Sequence, residues 1–295
     1  GLPQSPESYG RNAKSINLAI QGGGAHGAFG WGVIDRLLED GRIKFEGICG
    51  TSAGSMNAVV LAYGNLVGGR GGARLALHHF WKKISKAGAK YSPMRQTPWE
   101  YFLSHQNNQW NMDNAITYQM FDLATRMFSP YQFNPTNFNP LRQVLETSVD
   151  FAALNACPVT KLFLSTTKVR TGKVRVFKTN EITADVVMAS ACLPQLFQAV
   201  KIDEEYYWDG GYMGNPALFP VFYHTDSRDL MIIHINPLDR DKLPQTSAEI
   251  TNRLNEITFN SSLLNEMRAI AFVTKLIEED WIKEEHKNKL KHLFM

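Results

Sequence analysis

Residues 16–27 read INLAIQGGGAHG, and residues 43–54 read IKFEGICGTSAG. Each stretch is an apolar run of strand length that ends in a cluster of small residues. Each cluster then opens a segment of helical character: Ala28–Leu38, which stops at Asp40-Gly41, and Met56–Tyr63, apolar enough to be buried. Strand, turn and helix, twice in succession, predict an α/β fold with parallel strands.

The second cluster, Gly50-Thr51-Ser52-Ala53-Gly54, fits G-x-S-x-G. In that turn a serine sits between strand and helix, and the small flanking residues let chain and substrate approach closely. The helix N-terminus behind it favours negative charge on the reacting atoms. Ser52 is therefore a candidate nucleophile; the plainer alternative is a tight turn whose serine caps the helix. The first cluster holds Gly22, Gly23 and Gly24, then Ala25, His26 and Gly27. Successive glycines can aim backbone N–H groups inward with no side chain in the way, which makes an oxyanion hole. One such donor is worth about 3–4 kcal/mol in a transition state. The amide of Ala53, the residue after the serine, could add another.

Gly22, Gly24 and Gly27 also fit G-x-G-x-x-G after a strand, a dinucleotide-binding loop that would make the chain an oxidoreductase. That reading wants a carboxylate at the end of the second strand for a ribose hydroxyl. Ile48-Cys49-Gly50 stand there instead, and Glu46 is interior.

A serine nucleophile needs a base. His78 and His79 lie on an expected helix over Leu75–Ile84, His234 lies within the strand of residues 230–235 and reads as a core histidine, and His224 and His286 have no motif around them. A carboxylate can take the proton if it is held close and partly desolvated. Residues 205–208 (EYYW) form a short strand that delivers Asp209-Gly210-Gly211, so Asp209 is the candidate base; the alternative is a simple Asp-Gly turn.

Further along, the five glycines of residues 64–72 read as a surface loop. Residues 91–140 hold eleven aromatic residues and five charges, against a chain average of 11% aromatic and 20% charged, and read as an insertion lining an apolar site or as a small aromatic subcore. Asn139-Pro140 should cap and open a helix over Leu141–Thr147, residues 161–169 and 173–178 should pair as a hairpin about Thr171-Gly172, and residues 182–191 should be helical. From residue 246 the pattern is helical and amphipathic, with Leu263, Leu264, Met267, Ile270 and Ala271 as a core-facing stripe and a charged, solvated run from Lys275 to Lys291.

The net charge of +3 on 295 residues, with no dense Lys/Arg block, argues against a nucleic-acid partner. Cys49, Cys157 and Cys192 offer neither metal spacing nor a disulfide framework, so a reducing, cytoplasmic setting and no metal are expected, with leaderless secretion compatible as well. Gly1 in place of Met fits a trimmed or engineered start. Apolar runs such as Ala58–Ala62 are short, so membrane contact would be peripheral.

Taken in order, GGGAHG after the first strand, GTSAG after the second and DGG near residue 210 resemble the patatin-like phospholipase family, as do Ala189-Ser190-Ala191-Cys192-Leu193-Pro194 and Asn215-Pro216. The resemblance covers roughly residues 16–240. It implies a three-layer α/β/α fold around a mostly parallel sheet, and lipid acyl hydrolysis by a Ser–Asp dyad without histidine, metal or cofactor. Ser52 matches the nucleophile, Asp209 the base, and Gly22, Gly23 and Gly24 the oxyanion loop, with Gly50, Gly54, Gly210 and Gly211 supporting the turns. His26 stands where the family usually has Arg or Lys. The expected substrate is a phospholipid or another lipid ester. An acyltransferase, thioesterase or polyester depolymerase would use the same dyad. The expected organisation is a flexible tail over 1–14, a catalytic domain over 15–240 that includes the aromatic-rich 91–140 insertion, and a helical extension over 241–295 packed on it.

Overall fold

The computed structural model describes residues 8–10, 12–23, 27–91, 129–156 and 159–287. Strand β1 (Lys14–Ile20) and strand β2 (Ile43–Gly50) pair in parallel, with helix α1 (Gly27–Asp40) between them and helix α2 (Ala53–Tyr91) after them. A hairpin of β3 (Lys161–Lys168) and β4 (Val174–Lys178) follows, with Gly172 at its turn in the left-handed region at φ +64°. Strands β5 (Val200–Ile202), β6 (Glu205–Asp209) and β7 (Leu230–Ile233) complete one sheet in the order β5-β6-β3-β2-β1-β7, with β4 also on β3. Strands β7, β1, β2 and β3 are parallel; β4 and β6 run against β3, and β5, antiparallel to β6, runs with it again.

The period of two along each strand divides the core into two layers. Leu18, Ile20, Ile48, Leu162 and Leu164 face one way, into a cluster with Ile34 and Leu38 of α1 and Val59 and Phe80 of α2. Ala19, Cys49 and Phe163 face the other way, where Leu218, Val221, Leu263 and Ile270 meet them. Val221 belongs to α7 (Phe219–His224) and the last two to α8 (Ser247–Glu278); between α2 and these run the shorter α3 (Pro130–Phe133), α4 (Pro140–Glu146), α5 (Phe151–Ala156) and α6 (Ala184–Ser190). The result is a mostly parallel sheet between helices, as expected.

Most local expectations hold. Asn139 caps α4, its side chain accepting from Leu141 N–H at 3.0 Å with Pro140 at the first helical position. Within the expected stripe on α8, Leu263, Met267 and Ile270 pack inward while Ala271 is exposed. Within the expected tail, Tyr9 packs against the core and Gly10 N–H donates to Gly41 O at 3.3 Å. Residues 92–128, most of the expected aromatic insertion, lie outside the described residues, as does Cys157.

The glycines of residues 64–72 are not a surface loop. They lie inside α2, which folds back on itself at Gly68 and Gly69, the latter at φ +59°, ψ −151°. The two arms then cross where only glycine fits: a methyl group on Gly72 would lie 2.4 Å from Gly64 O, and one on Gly64 would lie 2.7 Å from Ala73 Cα. The return brings Trp81 Nε1 to donate to Asn57 Oδ1 at 2.8 Å, a contact that a straight helix would forbid.

Candidate active site

Ser52 occupies the turn between β2 and α2 at φ +55°, a left-handed conformation uncommon for a residue with a side chain. Steric fit explains the flanking glycines. A methyl group on Gly54 would lie 2.1 Å from Ile20 O, and one on Gly50 would lie 2.8 Å from Gly54 O, so the turn rests directly on the backbone of β1. Hydrogen bonds hold it there. Ser52 N–H donates to Ser190 Oγ at 3.0 Å, and Thr51 Oγ1 donates to Gly214 O at 2.7 Å. Ser190 Oγ donates in turn to Ser165 O and pairs with Ser55 Oγ, each at 2.7 Å, with all three serines buried. Ala53 is the first residue of α2, so its N–H has no acceptor within the helix and sits at the positive end of the helix dipole.

Sheet register explains how Asp209 reaches this turn. Strand β4 pairs with Phe163 through Thr167, overlapping both β2, which pairs with residues up to Leu164, and β6, which pairs from Thr166. A strand has two edges, so β2 and β6 must share the edge that β4 leaves. They run in opposite senses along it and approach end to end. Gly50 pairs with Leu164 and Asp209 with Thr166, so only Ser165 separates their partners. The last residue of β6 therefore faces the turn that follows the last residue of β2.

Asp209 is fully buried. Its N–H donates to Cys192 O, and its carbonyl accepts from Thr167 Oγ1, both at 2.8 Å. Oδ1 accepts from Gly211 N–H at 2.7 Å. Oδ2 is buried and makes no fully formed hydrogen bond to the described residues. Burial raises the carboxyl pKa to about 7, against the lowering effects of the Gly211 amide and of the Ser52 hydroxyl beside it. Gly210 is required by contact: a methyl group there would lie 2.2 Å from Ser165 O.

The glycine loop leaves β1 beside this pair. Gly22 had been expected to offer its amide to an oxyanion, but that N–H already donates to Asn215 Oδ1 at 2.7 Å. Its carbonyl accepts from Asn236 Nδ2 at 2.7 Å and Asn215 Nδ2 at 3.3 Å. Gly22 serves instead by being small, since a methyl group there would lie 2.6 Å from Ser52 Cβ. Gly23 follows, where a methyl group would lie 2.9 Å from Ile235 Cδ1. Gly24, Ala25 and His26 lie outside the described residues. Gly27 opens α1, as a dinucleotide loop would require, but the end of β2 is taken up by the serine turn and offers no carboxylate.

Asn215, Asn236 and Ser190 are the residues that sequence reasoning did not assign. Asn215 and Ser190 stood inside quoted motifs, but their bonds to Gly22 and Ser52 span 193 and 138 residues. Their polarity combined with the small residues beside them was the only local signal. Among the described residues, no group of three or more His, Cys, Asp or Glu is placed to hold a metal ion, and no helix is long and apolar enough to cross a membrane.

Comparison with known proteins agrees with this architecture. The family model described as Patatin-like phospholipase matches residues 18–222. Among solved structures, the chain is similar to VipD from Legionella pneumophila, with 17% identity and a TM-score of 0.38, over 92% of this chain and 56% of that one. The chain thus spans little more than half of that protein's length. The search of curated proteins gave no match.

Proposed function

Since the chain belongs to the patatin-like phospholipase family, whose activity is lipid acyl hydrolysis, we propose that it cleaves carboxylic esters of lipids, in the manner of a phospholipase A or lysophospholipase, through an acyl-Ser52 intermediate with Asp209 as base. The observation that carries this reading is the end-to-end approach of β2 and β6 on one edge of β3, which brings a strained serine to a buried carboxyl with a pKa of about 7.

The steps follow from the groups present. Ser52 Oγ bonds to the ester carbonyl carbon as its proton passes to Asp209 Oδ2, and the carbonyl electron pair moves onto oxygen. The Ala53 amide, at the N-terminus of α2, donates to that oxyanion. Collapse breaks the bond to the alcohol, which leaves with the proton from Asp209. Water then gives a proton to Asp209 and bonds to the acyl carbon, and Ser52 Oγ departs, recovering its proton. A carboxyl that titrates near the working pH suits both directions of transfer. No step calls on a histidine, a metal or a cofactor.

A fluorophosphonate probe read by mass spectrometry tests the nucleophile. Labelling should fall on Ser52 and vanish in Ser52→Ala; an unlabelled wild type, or a labelled variant, refutes the assignment. Asp209→Asn should lower turnover of a chromogenic acyl ester by about 10²- to 10⁴-fold, and a loss of only a few-fold removes Asp209 from the mechanism. Product analysis with competing alcohols or thiols separates hydrolysis from acyl transfer by the same dyad.

A further inference from the structure

Two of the side chains that hold the glycine loop, Asn236 and Asn260, come from beyond residues 18–222, the part that matches the family. Asn236 follows β7, and Asn260 lies midway along α8. With Gln21 they form a buried carboxamide chain, the three being 7%, 3% and 0% exposed. Gln21 Oε1 accepts from the N–H groups of Ile235 and Asn236, at 2.9 Å each. Gln21 Nε2 donates to Asn260 Oδ1 at 2.9 Å. His234 Nε2 lies 3.0 Å from the same oxygen, which can only accept, so that ring nitrogen carries the proton. Asn260 Nδ2 donates to Asn236 O at 3.3 Å and Pro237 O at 3.1 Å. The chain ends on the active loop, where Asn236 Nδ2 donates to Gly22 O at 2.7 Å.

Three desolvated carboxamides are costly in a core unless each is satisfied, and apolar packing of α8 would need none of them. Their arrangement has a further effect. Gly22 lies directly against the serine turn, where a methyl group would stand 2.6 Å from Ser52 Cβ, so fixing its carbonyl fixes how this residue sits against Ser52. A reacting serine depends on having its surroundings set in advance. We propose that Asn236 and Asn260 are positioning residues for ester hydrolysis, through which α8 sets where Gly22 sits against Ser52. This inference rests on the Ser52–Asp209 reading above.

The test uses the full chain. Asn236→Asp keeps the shape of the side chain but cannot donate to Gly22 O, and Asn236→Ala and Asn260→Ala remove the links altogether. Each variant is measured for thermal unfolding, for fluorophosphonate labelling rate at Ser52, and for kcat and KM on a chromogenic ester. The expected result is cooperative unfolding in each, kcat lower by roughly 10- to 100-fold and KM within about two-fold of wild type. Ile257→Ala, an exposed position on the same helix, should match wild type throughout. Folded variants with wild-type kcat would overturn the proposal. So would loss of folding in all three, which would make the chain of carboxamides a structural device only. A wild type that does not label at Ser52 would refute the hydrolase reading itself, whereas a labelling wild type with unaltered variants refutes only the role of Asn236 and Asn260.

Discussion

The serine turn and the glycine loop adjoin each other, yet they are fixed by different means. The turn is fixed by contact: main chain lies on main chain at Gly50, Gly54 and Gly210, and small hydroxyls bridge what remains. The loop is fixed by carboxamides, from Asn215 on one side and from Asn236, Gln21 and Asn260 on the other. Steric contact tolerates no added atom but needs no distant partner. Hydrogen bonding leaves space but depends on residues far along the chain. The serine turn should therefore fail under small additions, and the glycine loop under small deletions of polarity.

One substitution made on both sides gives the sharpest contrast. Gly54→Ala forces a methyl group to within 2.1 Å of Ile20 O, the last carbonyl of β1 and a main-chain atom that cannot move aside as a side-chain end can. It should cost several kcal/mol, on the scale of the severest point mutations, and abolish soluble, active protein. Gly23→Ala places its methyl group 2.9 Å from Ile235 Cδ1, the movable end of a side chain. Its cost should stay below about 2 kcal/mol. Denaturant titration compares the two, and equal losses would erase the distinction.

The next effect concerns the charge held on the nucleophile side. An aspartate in an unfolded chain titrates near 4, whereas Asp209 titrates at about 7. Between those values the folded protein keeps a proton that the unfolded chain releases, so stability from this group declines as pH rises from about 4 to 7. Above 7 the buried charge costs on the order of 4 kcal/mol. Asp209→Asn should thus melt no lower than wild type at pH 8, with the difference shrinking toward pH 5. Ester turnover by wild type should show the opposite trend, falling about ten-fold per unit below pH 7 as the base is lost. A flat profile between pH 5 and 8 would contradict both.

Ser190→Ala should give a smaller change than Gly54→Ala. It strips the acceptor from Ser52 N–H and a bond from Ser165 O while leaving every steric contact in place. A loss of about 1–3 kcal/mol in stability is expected, with the fold intact. A destabilisation as large as that of Gly54→Ala would show that the hydroxyls, and not the contacts, hold the turn.

The same contrast governs what could be read from sequence. The INLAI and IKFEGIC strands and the GTSAG turn were legible because strand period and small-residue clusters are local signals. The glycine loop was legible only as a run of glycines. Gly22 reads as a donor because nothing nearby in sequence shows that Asn215 occupies its amide. The glycines of residues 64–72 misled for a related reason: a loop and a close helix crossing ask for the same residue, and only the return of Trp81 to Asn57 tells them apart. The hydrogen bonds of Asn236 and Asn260 to the glycine loop and to each other depend on where α8 docks, which no neighbouring residue announces.

The shared edge of β3 has one more consequence. Because β2 and β6 are both tethered to that strand, the interval from serine to aspartate is counted out by the single residue between Leu164 and Thr166. Such a ruler has whole-residue graduations of about 3.3 Å, and each step also turns side chains to the opposite face. The residues around the two are open to gradual revision, whereas the spacing between them can change only by a jump.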